Sequence, residues 1–389
     1  MVALVALAGC AKPPTTDDGN DPPTEPVPIE WTSRPLEVPC SSCFEPTLAH
    51  INGTWFVSTA IGTTLYRSDD GKNWTGSPRP PLPFNGPTSG FYEADITLFS
   101  DESSLYYLSL VVTGQSPAIL FLGIHVARSD DLGATWAANT FLGPASGEEV
   151  QAERAWLTVV NETLYVVWPE WSSSLNTPTS TSDRNLWLGT GDGLWVASSS
   201  DGGASFSEPV QVAEGRQIFP SPLSASGTVV AFTSGNPDLT RNLHLAVDAN
   251  GWQVTDLGEG SVRFPTIVET DRGLWLAVSQ NGRTTLHALV DDVWADPVVL
   301  EGTDHAPSSW LAERPGGGVD LAYSVDRQLR ILRFEAGAMF RPDDPGATII
   351  DLDVHAPVDT DFMRFHHIDD RFTFLASDAG GLYLVTGPA

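Results

Sequence analysis

The chain is short of cations, of cysteine and of long apolar runs. Its 389 residues hold 20 Lys and Arg against 49 Asp and Glu, a formal net charge of −29. Such a surface repels nucleic acid and anionic membranes, and the few basic residues form no cluster, so neither partner is expected. Beyond the N-terminus no apolar run approaches the ~20 residues of a membrane-spanning helix. The sequence has no glycine-rich phosphate loop and no G-x-S-x-G nucleophile elbow. Its three cysteines are too few for a four-cysteine zinc site, and His366 and His367, adjacent in sequence, would face opposite sides of a strand. No metal site or cofactor is expected, although the acidic surface leaves room for a structural divalent cation. What the chain has in quantity is glycine (35) and proline (30), which favours many short strands and turns over long helices. With 41% apolar and 10% aromatic residues it can bury a large core, as two ordinary domains or as one repeat fold.

Residues 1–10 read MVALVALAGC. Leu7-Ala8-Gly9-Cys10 resembles the lipobox of bacterial lipoprotein signal peptides, although the basic segment that opens such peptides is missing. The resemblance implies that Cys10 is acylated and that the protein is exported and lipid-anchored to the cell envelope, at the outer membrane or cell surface. Residues 11–29 contain six prolines and little to bury, the composition of an extended tether. The folded part is expected over 30–389.

This body repeats itself. Ser129-Asp130-Asp131-Leu132-Gly133-Ala134-Thr135-Trp136 and Ser199-Ser200-Asp201-Gly202-Gly203-Ala204-Ser205-Phe206 share one turn pattern, and Arg67-Ser68-Asp69-Asp70-Gly71-Lys72-Asn73-Trp74 is a looser copy. The pattern resembles the Asp-box, S-x-D-x-G-x-T-W, of the sialidase-like (BNR-repeat) superfamily, whose fold is a β-propeller. Its chemistry is structural. A short carboxylate accepts from turn N–H groups, a glycine takes a positive φ, and an aromatic ring packs between sheets. Asp69, Gly71 and Trp74, Asp131, Gly133 and Trp136, and Asp201, Gly203 and Phe206 are assigned these roles.

Strand-turn-strand units recur near Glu45, Glu93, Glu153, Phe219, Phe264, Ala306 and Asp361, a spacing of roughly 50 residues that suits propeller blades. Seven units predict an all-β, seven-bladed propeller of four-stranded blades, with six blades as the alternative. The last unit supplies only three strands, so a strand from the segment Glu30–Val38 is expected to complete it and close the ring.

In a propeller the innermost strands begin around the central channel, so residues at unit starts are the candidates for chemistry. Glu45, Asp95 and Glu153 are candidate acid/base carboxylates, and Tyr92, Glu93, Arg154, Arg216, Arg263 and His305 are candidate ligand-binding groups. Trp171, where a strand runs into a Ser/Thr-rich loop, is a candidate for stacking on sugar. Glu153-Arg154-Ala155-Trp156-Leu157-Thr158-Val159 also resembles a segment of sialidase-like BNR-repeat proteins. Sialidases place an F/Y-R-I-P motif in the first blade, whose Arg joins two others to hold the sugar carboxylate. The matching text here is Phe44-Glu45-Pro46-Thr47, with an acid in place of the Arg. A displaced cluster of Arg154, Arg216 and Arg263 is the route by which a sialidase-type hydrolase would survive. The expectation is therefore a monomeric surface propeller that binds a glycan or a surface protein on its central face. A glycoside hydrolase is the alternative, and a structural scaffold in an envelope complex the third. Cys40-Ser41-Ser42-Cys43 lies outside any thioredoxin-like pattern, and in an exported protein it suggests a local Cys40–Cys43 disulfide.

Overall fold

A computed structural model of the chain describes residues 32–388 apart from 39–45, 60–63, 84–90, 102, 116–117, 146–149, 153, 173–190, 237–239, 260–264, 281–282, 291–292, 301–308, 315, 326–327, 337–346, 356–364, 369–370 and 379–380. Every regular element among the described residues is a strand, and the strands form seven four-stranded antiparallel blades of a β-propeller.

Blade one runs outward through Thr47–Ile51, Thr54–Ser58, Leu65–Ser68 and Thr75–Ser77. Blade two comprises Phe91–Ser100, Leu105–Gln115, Ala118–Ser129 and Ala138–Leu142, and blade three Trp156–Val160, Thr163–Ser172, Gly191–Ser199 and Val210–Ala213. Blades four, five and six open on Arg216–Pro220, Thr266–Thr270 and Trp310–Glu313. Blade seven consists of Phe365–Ile368, Arg371–Asp378 and Gly381–Pro388, with Thr32–Leu36 as its outermost strand. That last strand pairs antiparallel from Thr32↔Thr386 to Leu36↔Leu382, so the two ends of the propeller share one blade. The inner strands begin within four residues of the seven unit starts expected from sequence.

The second and third strands of a blade are sandwiched by neighbours on both faces, which is why they read as near-continuous apolar runs such as Leu105-Tyr106-Tyr107-Leu108-Ser109-Leu110-Val111-Val112. The core lies between blades. Leu36, Val38, Leu48, Val57, Leu375 and Leu384 seal blade seven to blade one. Leu108, Val126, Leu157, Val166 and Trp168 seal blade two to blade three. One element departs from the repeat: Val150–Ala152 pairs with strands of both blade two and blade three, merging them into a nine-stranded sheet.

The S-x-D-x-G-x-T-W turns connect third to fourth strands. Asp131 accepts from Thr135 N (2.7 Å) and Thr135 Oγ1 (2.6 Å), while Gly133 N donates to Ser129 Oγ at 2.8 Å. Asp201 repeats this with Ser205 N at 2.9 Å and Ser205 Oγ at 2.6 Å. Trp74, Trp136 and Phe206 pack on the clusters that join their own blade to the preceding one. In the blade-one turn the sequence assignment needs correction. The carboxylate that accepts from Lys72 N and Asn73 N, both at 2.8 Å, is Asp70. Asp69 instead pairs with Arg67 (3.1 Å) and accepts from Thr54 Oγ1 (3.1 Å). This turn is one residue shorter than the others, so Ser68 and Asp70 take the places of Ser129 and Asp131.

Candidate functional site

Inner strands begin at one end of the ring, and the Asp-bearing turns lie at the opposite end. Of the candidates for the first end, Glu45, Glu153, Arg263 and His305 lie outside the described residues, as do Cys10, Cys40 and Cys43. Arg216 opens the inner strand of blade four, in register with Gly235, which is in turn opposite Arg241. Trp171 sits on the second strand of blade three, opposite Gly191 on one side and Gln151 on the other.

Tyr92, Glu93 and Asp95 share the inner strand of blade two, and there the geometry is explicit. Phe91 and Tyr92 each expose 37% of their surface, more than the other aromatic residues described. Burial of the part that packs raises the Tyr92 phenol. Two residues on, the strand bulges: Ala94 opposes Leu110 and Thr97 opposes Leu108, so Asp95 and Ile96 together face the single residue Ser109. Asp95 adopts φ +49° there, whereas the other non-glycine residues with positive φ lie in turns. Such a conformation in a strand costs energy and persists only where the surroundings over-determine it.

The surroundings do. From blade three, Arg154 donates through Nη1 to the Ile96 carbonyl (3.1 Å) and to Thr97 Oγ1 (3.3 Å). Thr97 Oγ1 in turn donates to the Ala155 carbonyl at 3.3 Å. Arg154 is 2% exposed and lies over the Trp156 ring at 5.6 Å, so this cation grips the bulge from below rather than facing a ligand. On the other side Glu93 is buried. Its Oε1 accepts from Ser109 Oγ (2.7 Å) and lies 2.8 Å from His125 Nδ1, and its Oε2 accepts from Arg79 Nη1 at 2.8 Å. Burial alone would raise the Glu93 carboxyl, but the His125, Ser109 and Arg79 contacts outweigh it and hold it below the usual range. The net arrangement is an inner strand that carries the exposed Phe91 and Tyr92, on alternate sides, and the half-buried Asp95, and that is held through Arg154 and through Glu93.

Arg79, Ser109, His125 and Asn139 escape sequence reasoning because each stands singly in an apolar or proline-rich stretch far from the others. Trp168, by contrast, is fully buried and donates through Nε1 to Glu170 at 2.6 Å, so it belongs to the core. Among the described residues no group of three or more His, Cys, Asp and Glu side chains could hold a metal ion, and no helix is long and apolar enough to cross a membrane.

No family profile matches the sequence, and no curated protein matches it. Solved structures do. A lectin of Burkholderia pseudomallei, BP39L, is 13% identical with a TM-score of 0.52, over 89% of this chain and 98% of that one. An ancestral GH74 enzyme is 12% identical with a TM-score of 0.53, over 89% of this chain and 47% of that one. A mutant of Trypanosoma rangeli sialidase displaying trans-sialidase activity is 13% identical with a TM-score of 0.49, over 88% of this chain and 59% of that one. The chain thus spans less than two thirds of the sialidase and of the GH74 enzyme. At these identities the likeness is one of fold: the chain is a β-propeller of the kind found in the lectin and the GH74 enzyme.

Proposed function

We propose that the protein is a sialidase-like Asp-box propeller that binds a glycan through its central face, carried on the outside of a bacterial cell by a lipid at Cys10. The observation that carries the reading is Asp95, a carboxylate held at φ +49° in an inner strand beside the exposed Phe91 and Tyr92. Backbone strain concentrates where a side chain must be aimed, and an exposed aromatic ring on the same strand as a carboxylate suits sugar C–H stacking together with hydroxyl recognition. Binding is favoured over hydrolysis because Glu93, the other described carboxylate at the start of that strand, is buried and occupied by Arg79, Ser109 and His125. An acid/base pair needs two carboxyl groups that both reach the scissile bond. An acidic molecule of net charge −29 also disfavours sialic acid and uronic acids as ligands.

The test is a glycan array run alongside a panel of fluorogenic glycosides that includes sialosides, with wild type and Tyr92→Ala. Binding to neutral glycans that is lost in Tyr92→Ala, without turnover, is the expected result. Turnover of any glycoside that Asp95→Asn abolishes would replace this reading with the hydrolase one. An envelope protein captured at the same face, with an empty array, would replace it with protein binding.

A further inference from the structure

We propose that His125 is a positioning residue for the central-face site, holding the strand of Tyr92 and Asp95 through Glu93 with both of its ring nitrogens protonated. The proposal rests on the reading of that strand as ligand-binding.

His125 lies on the third strand of blade two and is fully buried. Its Nδ1 is 2.8 Å from Glu93 Oε1 and its Nε2 is 2.5 Å from Asn139 Oδ1. The orientation of the Asn139 amide follows from its other contact. Asn139 Nδ2 donates to the Pro81 carbonyl at 2.6 Å, and a carbonyl can only accept, so the amide oxygen must face the ring. Glu93 is an acceptor too, because Arg79 and Ser109 both donate to it. The imidazole therefore stands between two acceptors. A neutral ring would set a nitrogen lone pair against an oxygen lone pair, whereas a ring with two N–H groups satisfies both neighbours. Tyr107 also stands against the ring, with centroids 5.8 Å apart.

These contacts tie the four strands of blade two along one line. Asn139 belongs to the outer strand, His125 to the third, Ser109 to the second and Glu93 to the inner one. The line ends one residue from Tyr92 and two from Asp95, and Ser109 is also the residue that faces the bulge. A buried ion pair is weak evidence for added stability, since apolar side chains of similar volume often do as well. What it provides is one defined geometry, and here the geometry belongs to the strand that presents the aromatic rings and the strained carboxylate.

The experiment uses the whole folded chain, labelled with ¹⁵N, and three variants of the line: wild type, Asn139→Leu and Asn139→Asp. Asn139 lies on the outermost strand, away from the ligand face. Ring ¹⁵N shifts of His125 at neutral pH, amide hydrogen exchange at residues 92–95 and Kd for the best array glycan are read together. In wild type both ring nitrogens are expected to carry protons. Asn139→Leu removes one acceptor, turns the ring neutral, speeds exchange at residues 92–95 and weakens the glycan roughly tenfold. Asn139→Asp keeps an oxygen toward the ring but loses the donor to the Pro81 carbonyl, so the ring keeps both protons while affinity falls less than in Asn139→Leu. A neutral wild-type ring, or wild-type exchange and affinity in Asn139→Leu, overturns the proposal. If no glycan binds the wild type, the glycan reading falls by itself, and the ring shifts and amide exchange still decide the positioning role.

Discussion

An aspartate in a tight turn accepts what the backbone cannot place elsewhere, and Asp70, Asp131 and Asp201 each do so with the N–H groups two to four residues ahead. These bonds are made to the ionised form. The side-chain and backbone donors of Ser205, followed by Ser199, draw the Asp201 carboxyl down to about 2, and Thr135 lowers Asp131 in the same way. A folded value below the unfolded one gives stability that is present above the unfolded value, near 3.8, and lost as pH falls through the folded value. Acid titration followed by circular dichroism is therefore expected to show the turns contributing down to about pH 2, and Asp201→Asn should unfold at a higher pH than wild type. Gly203 allows a cleaner measurement. Its φ is +91° and the nearest atom to an added methyl is 3.7 Å away, so Gly203→Ala introduces strain without a clash. Thermal denaturation should register a loss of about 1–2 kcal/mol. Sequence located these turns because serine, aspartate, glycine and an aromatic recur in order. It misassigned Asp69 because the pattern carries no measure of turn length, and only the hydrogen bonds show that the blade-one turn closes one residue early on Asp70.

At the scale of elements, the ring closes through a strand distant in sequence. Thr32–Leu36 is hydrogen-bonded to Gly381–Pro388, and Leu36 lies in the same cluster as Leu48 and Leu384. Leu384→Ala is expected to cost about 2–5 kcal/mol through the cavity it leaves, read by chemical denaturation. Removing residues 32–38 should cost more, because it exposes both that cluster and the edge of the last blade. The need for such a strand was legible in sequence, since the final unit supplies three strands where the others supply four. The bridge Val150–Ala152 was not, because three residues carry no period and the pairing depends on where blades two and three already stand. The bulge at Asp95 was equally hidden: a one-residue slip leaves the composition of Phe91–Ser100 unchanged. Arg154 shows the same limit from the other side. A cation at a unit start reads as a ligand contact, and only the distances to Ile96 and Thr97 reveal it as the support of its neighbour's strained residue.

For the whole molecule, seven blades make a ring whose faces differ in kind. Turns built for stability occupy one end, and among the described residues the other end carries Phe91, Tyr92 and Asp95 of blade two and Arg216 of blade four. With a net charge of −29 the folded state repels itself, so raising ionic strength from low salt to about 0.15 M should raise Tm by screening that repulsion. The central claim is that Asp95 is held in an unfavourable conformation for the sake of the ligand face. Asp95→Gly tests it most directly, because glycine adopts φ +49° freely while lacking the carboxylate. Measured on one preparation of each protein, Tm and glycan Kd should move apart: Tm equal to or above wild type, and affinity at least roughly tenfold weaker. Unchanged affinity in Asp95→Gly, whatever its Tm, would contradict the account.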